Sequence, residues 1–191
     1  MIRTAQARAD ALHLGGIDFR VSPIEEASFD AAHFTGVCAR WSLIFCEDIV
    51  AQLRRIREWL IPGGRLALAA WTPQRETPGF EAINHALNRH MQLPPLDAAK
   101  PGRVHLSEPG QLKGALEEAG FGDVRVEPVH LSIVTRDGED FWNMMCAMGG
   151  ALSRVLEGLA EDQRQTVRSD VIAAVEAYRV EDTLRIPTPA Q

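Results

Sequence analysis

Leu60–Trp71 reads LIPGGRLALAAW, and this stretch decides the fold. Pro62 cannot continue a helix, and Gly63 and Gly64 let the chain reverse tightly. The run Arg65–Ala70 that follows is apolar enough to predict a strand buried between helix layers. Before it, Asp48 offers an N-cap, and Ile49, Leu53, Ile56 and Leu60 trace one apolar stripe, with Arg54, Arg55, Arg57 and Glu58 mostly on the other side. The unit is a helix, a Pro-Gly-Gly turn and a strand.

Working outward, Phe34–Ala39 predicts a strand ahead of that helix, and Ile17–Val21 a shorter one ending before Pro23. Met1 to about Leu14 predicts a helix stopped by Gly15 and Gly16. On the other side, a helix is expected over about Phe80–Met91, followed by a loop with Pro94, Pro95, Pro101 and Gly102. Ser107 is expected to cap a helix ending at Gly120, and Val124–Leu131 to form a strand. Phe141, Met144, Met145, Met148, Leu152, Val155 and Leu159 share one helical face. Val167, Val171, Val175 and Tyr178 share another. Thr183–Ile186 closes the pattern as a final strand. Strands alternating with helices predict a parallel α/β sheet with right-handed crossovers.

The 191 residues suit one domain. A net charge of −6, with no Lys/Arg stripe, argues against nucleic acid as a partner. Cys38, Cys46 and Cys146 lack CxxC spacing and read as reduced thiols of a cytoplasmic protein. No apolar run reaches membrane-spanning length, and the polar N-terminus does not resemble a signal peptide. His85 and His90, five apart, do not share a helical face as a zinc pair would, so no metal site is expected. No Ser–His–Asp set or carboxylate pair can be argued, so no catalytic residue is named.

The ordered segments carry a resemblance. ARWSLIF (Ala39–Phe45), then a helix, then LIPGGRLALAAW resembles the second half of the class I S-adenosylmethionine-dependent methyltransferases. More narrowly, it is similar to the branch containing the ubiquinone- and menaquinone-type C-methyltransferases. SEPGQLKGALEEAGFGDVRVE (Ser107–Glu127) resembles that family's segment leading into its sixth strand, and FRVSPIEEASF (Phe19–Phe29) its third strand and following loop. The resemblance implies an α/β, Rossmann-like, mostly parallel sheet with helices on both faces. It further implies one domain over 1–191, with 1–71 a residual cofactor half and 72–191 substrate-side helices and C-terminal strands.

The family's Gly-rich loop, D-x-G-x-G-x-G, and the acid that holds the cofactor ribose have no counterpart here. Pro23 and Thr35 stand where the family has acidic residues. The expectation is therefore a truncated or mis-started chain lacking the first two strands of the family order 3-2-1-4-5-7-6. Ile17–Val21 is then expected to close against Phe34–Ala39, or two copies to pair edge to edge as a homodimer.

The resemblance implies S-adenosylmethionine as cofactor and a small molecule as methyl acceptor. The cofactor supplies the reactive methyl, so the protein's part is proximity and orientation. Ile24 and Glu25 fall in the loop that meets adenine. Ala39, Arg40 and Trp41 lie at the carboxyl end of a strand, where open α/β sheets bind ligands. Trp71 is a candidate substrate wall at the same edge. Phe141 and Met145 are candidates for the substrate cavity, although a stripe at helical spacing is more often core. The rival reading is a methyltransferase-like module without enzymatic activity that binds partners or dimerises.

Overall fold

The structure is a computed structural model that describes residues 2–148 and 150–191. Its helices are α1 (Ile2–Ala11), α2 (Ile49–Trp59), α3 (Pro78–Asn88), α4 (Gln111–Glu118), α5 (Gly138–Met148), α6 (Gly150–Glu157) and α7 (Glu161–Val175). The strands are β1 (Phe34–Arg40), β2 (Leu60–Ala69), β3 (Ser132–Thr135), β4 (Arg179–Val180) and β5 (Thr183–Pro187).

The β1–α2–β2 unit is the expected parallel pair. Asp48 caps α2, its Oδ1 accepting from the Ala51 backbone N–H at 2.8 Å. The register then shows what Pro62-Gly63-Gly64 does. Phe34 pairs with Leu60 and Gly36 with Arg65, so Ile61–Gly64 bulge out of the ladder. Gly63 has φ +80°, and a Cβ on Gly64 would stand 2.9 Å from the Ile61 carbonyl oxygen.

Alternation along the two strands sends Val37, Ala39, Leu66 and Leu68 into one core. That core also takes Leu53, Ile56 and Trp59 of α2 and Leu112 and Ala115 of α4. The opposite face was expected under a second helix layer. Instead Gly36, Cys38, Arg65 and Ala67 are exposed.

Three further expectations give way. Ile17–Val21 is irregular and exposed apart from the half-buried Phe19, Val21 at 85%, and it does not pair with β1. Its side chains alternate suitably, yet they meet no apolar surface that would fix them. Val124–Leu131 is not a strand. Only Val129 makes a bridge, to Ala190, and the regular strand begins at Ser132. Ser107 does not cap α4. Gly110, at φ +84°, holds that position.

The second core is helical. Val167, Val171 and Val175 of α7 are fully buried, as their spacing predicted. They pack with Ile83 and Leu87 of α3, Phe141 and Met145 of α5, and Leu184 and Ile186 of β5. The stripe from Phe141 to Leu159 spans two helices rather than one, and Met148 is 63% exposed. β5 pairs antiparallel with β3 and β4 in a sheet of order β3-β5-β4. Parallel pairing among the described residues is confined to β1 and β2.

Candidate functional site

Where β1 ends, Trp41 takes φ +53°, a left-handed conformation that a bulky residue adopts only when its surroundings hold it there. Its backbone N–H donates to the Ala69 carbonyl at 3.0 Å, continuing the parallel ladder by one residue. The turn brings the Trp41 indole face to face with that of Trp71, centroids 4.3 Å apart and planes 9° from parallel. Phe80 of α3 meets Trp71 edge on, at 5.6 Å and 66°.

A guanidinium lies at each end of this aromatic row. Arg40 sits 5.1 Å from the Trp41 ring centre, and Arg103 sits 4.5 Å from that of Phe80. The row therefore stands at the carboxyl ends of the two parallel strands, the edge where open α/β sheets place ligands. The Trp41 indole N–H is buried and unpartnered among the described residues.

Two distant segments fix the surroundings. Residues 188–191 return to β2: Ala70 and Gln191 exchange backbone hydrogen bonds, each 2.9 Å, and Trp71 bridges to Ala190. The Gln191 side-chain amide donates to the carbonyls of Leu106 and Ser107 at 2.8 and 3.1 Å. The segment 101–107 is tied back to the 3-10 turn Leu43–Phe45 through one acceptor. The Ile44 carbonyl takes the Gly102 N–H at 2.9 Å and faces His105 Nδ1 at 3.0 Å. A carbonyl only accepts, so Nδ1 of His105 carries the proton.

The sequence-predicted residues divide. Arg40, Trp41 and Trp71 come together in the aromatic row. Ile24 and Ala39 line one apolar groove of about 350 Å³ beside β1, with Phe29, Phe34, Val37 and Leu43. Glu25 is near but differently engaged. Its carboxylate helps to raise the Cys46 thiol, and its carbonyl accepts from Arg55 Nη1 at 2.6 Å. Phe141 and Met145 are buried in the second core and line none of the cavities described here. They lie in the cluster against which Phe80 packs.

Sequence reading missed Arg103, because it sits in a loop rich in proline and glycine. The signal available was its place immediately before Val104-His105-Leu106, all buried.

The groove tests the implied cofactor. Its apolar lining suits a flat adenine ring. None of its lining residues is acidic, so the ribose hydroxyls would find no carboxylate there.

Residues 1–68 match the family model of a methyltransferase domain. A protein assigned as a methyltransferase from Bacillus halodurans C-125 superposes with a TM-score of 0.58 at 14% identity. That match covers 99% of this chain and 75% of the other. The YcgJ protein of Bacillus subtilis gives 0.57 at 15% identity, with coverage of 100% and 75%. No curated protein matches the sequence.

The chain shares its fold with these two structures, and residues 1–68 resemble a methyltransferase domain.

Proposed function

We propose that the chain serves methyl transfer from S-adenosylmethionine to a small-molecule acceptor, at the carboxyl ends of β1 and β2. The observation that carries this reading is the Trp41–Trp71–Phe80 row at that edge, on a chain whose first 68 residues match a methyltransferase domain. The cofactor would supply the methyl group on its sulfonium, and the chain would supply position.

In this reading Ile24 and Ala39 offer apolar contact to the adenine, and the Glu25 backbone flanks them. Arg40 and Trp41 bound the cofactor side. Trp71 forms the acceptor's wall, and Phe141 and Met145 belong to the core against which Phe80 packs. Proximity and exclusion of water are then the protein's contribution, and no side-chain acid or base is required.

Affinity for the cofactor should be weak. No D-x-G-x-G-x-G run occurs in the sequence, and no acidic residue lines the groove. Their hydrogen bonds, those to charged groups about 1.5–3 kcal/mol each, would otherwise set the affinity. Calorimetry and saturation-transfer NMR with S-adenosylhomocysteine should show dissociation in the millimolar range. Contact should be lost in Trp41→Ala. Micromolar binding would refute the weak-affinity claim, and no contact at saturating ligand would refute the reading itself.

The second reading, a binding or dimerisation module, draws on the outer edge of β1, which pairs with no strand among the described residues. Absence of ligand contact together with a stable dimer would favour it.

A further inference from the structure

Arg55 lies on the side of α2 that its spacing gives to solvent, yet it is half-buried and both prongs of its fork are engaged. Its Nη1 donates to the Glu25 carbonyl at 2.6 Å and to Gln52 Oε1 at 3.1 Å. Its Nη2 donates to the Ala27 carbonyl. Gln52, three residues earlier on the helix, is 2% exposed, so the side chain that orients Arg55 is itself held. An arginine fork can reach two carbonyls at once, and bonds from a charged donor are the stronger kind.

The loop that Arg55 grips has no other polar anchor of its backbone. Among the described residues, the Glu25 and Ala27 carbonyls are the only backbone groups of residues 15–31 that hydrogen-bond outside that segment. The turn Ile24–Glu26 otherwise bonds within itself, Glu26 N–H to Pro23 and Ala27 N–H to Ile24. Ile24, Ala27 and Phe29 pack half-buried on the first core. Apolar contact draws the loop inward but is non-directional, so it does not by itself choose which side chain meets the groove. Ile24 is the one that lines it, together with Phe29, Phe34, Ile56 and Trp59. Arg55 also lies 5.3 Å from the centre of the Trp59 ring, against which Phe29 stands edge on at 5.1 Å. One side chain therefore touches both the loop wall of the groove and its aromatic floor.

We propose that Arg55 is a positioning residue for the adenine end of the cofactor: by holding the Glu25 and Ala27 carbonyls, it keeps Ile24 in place as a wall of the groove. The proposal rests on the methyl-transfer reading for the identity of the ligand. The clamp itself stands on the hydrogen bonds that Arg55 makes. Arg55 does not line the groove, so it acts through Ile24 and Trp59.

The test is saturation-transfer NMR of the full chain with S-adenosylhomocysteine, read as the ratio of adenine H2 and H8 signals to those of the homocysteine methylenes. A loss of folded protein lowers all of these signals together, whereas a displaced loop lowers the ratio. Arg55→Gln, which keeps much of the stem and removes the charged fork, should lower the ratio about threefold or more, the scale of one net hydrogen bond. Arg55→Lys keeps the charge without the fork and should give an intermediate ratio. The control is Arg54→Gln, which removes a neighbouring charge that faces Glu118 instead. It should leave the ratio unchanged. A ratio in Arg55→Gln equal to that of wild type overturns the proposal, and so does an equal fall in Arg54→Gln. Should Arg55→Gln fail to fold, Arg55→Lys decides: an intermediate ratio supports the proposal and an unchanged one overturns it. Homocysteine contact without adenine contact in wild type removes the proposal alone. No contact with any proton of the ligand in wild type removes the methyl-transfer reading and the proposal with it.

Discussion

Trp41 and Trp71 lie 4.3 Å apart with their rings 9° from parallel, so side chains extend the join that the Trp41 N–H makes to the Ala69 carbonyl at the ends of two adjacent parallel strands. Strand pairing sets the distance between the backbones, and the left-handed turn at Trp41 sets the face.

The stack predicts a measurable coupling. In a double-mutant cycle of Trp41→Ala and Trp71→Ala, urea unfolding should give an interaction of about 0.5–1.5 kcal/mol beyond the single losses. Additive losses would mean that the two rings merely share a surface.

Cys46 predicts a pH dependence. The thiol is 1% exposed. Burial first, then the Glu25 carboxylate, raise it from 9.0 to about 11. Between those values the unfolded chain loses the thiol proton and the folded chain keeps it. Stability from this group is therefore full below pH 9 and declines as pH rises toward 11. The urea midpoint of wild type should fall more steeply across that window than that of Cys46→Ser. Identical slopes would show that Cys46 titrates alike in both states.

The edge of β1 predicts association. Its outer side pairs with no strand among the described residues, and an apolar groove lies beside it. Unprotected edges of this kind recruit other strands. Sedimentation velocity should show a dimer at micromolar concentration, and Cys38→Lys, placing a charge on the exposed face of β1, should dissociate it. A monomeric wild type would rule out edge pairing.

Local signals were the legible part of the fold. Asp48 and the stripe Ile49, Leu53 and Ile56 of α2 depend on residues close in sequence and stand where they were expected, whereas Leu60 already belongs to β2 and Pro62-Gly63-Gly64, expected as a turn ahead of the strand, bulges within it. The triplet Val167, Val171 and Val175 was readable from spacing alone. Ile17–Val21 and Val124–Leu131 misled because apolar alternation describes a strand only when another strand lies alongside. At the site, Arg40, Trp41 and Trp71 were each marked by position at a strand end, but their stacking was not, since it depends on a φ value. Arg103 was invisible for a different reason. Its place over Phe80 depends on how a loop folds back, and spacing does not display that.

The strap formed by residues 188–191 has a consequence for the order in which the site assembles. Thr72 Oγ1 donates to the Pro189 carbonyl at 3.3 Å across 117 residues of sequence, and Gln191 reaches Leu106 across 85. β1, α2 and β2 need only short-range closure and can form early, whereas these contacts close long loops and come late. The two tryptophans can therefore stack in a chain whose Arg103 loop is still unanchored. An early intermediate would carry the aromatic wall and lack the fixed cation. Fluorescence would register it as near-native before the Arg103 loop is anchored.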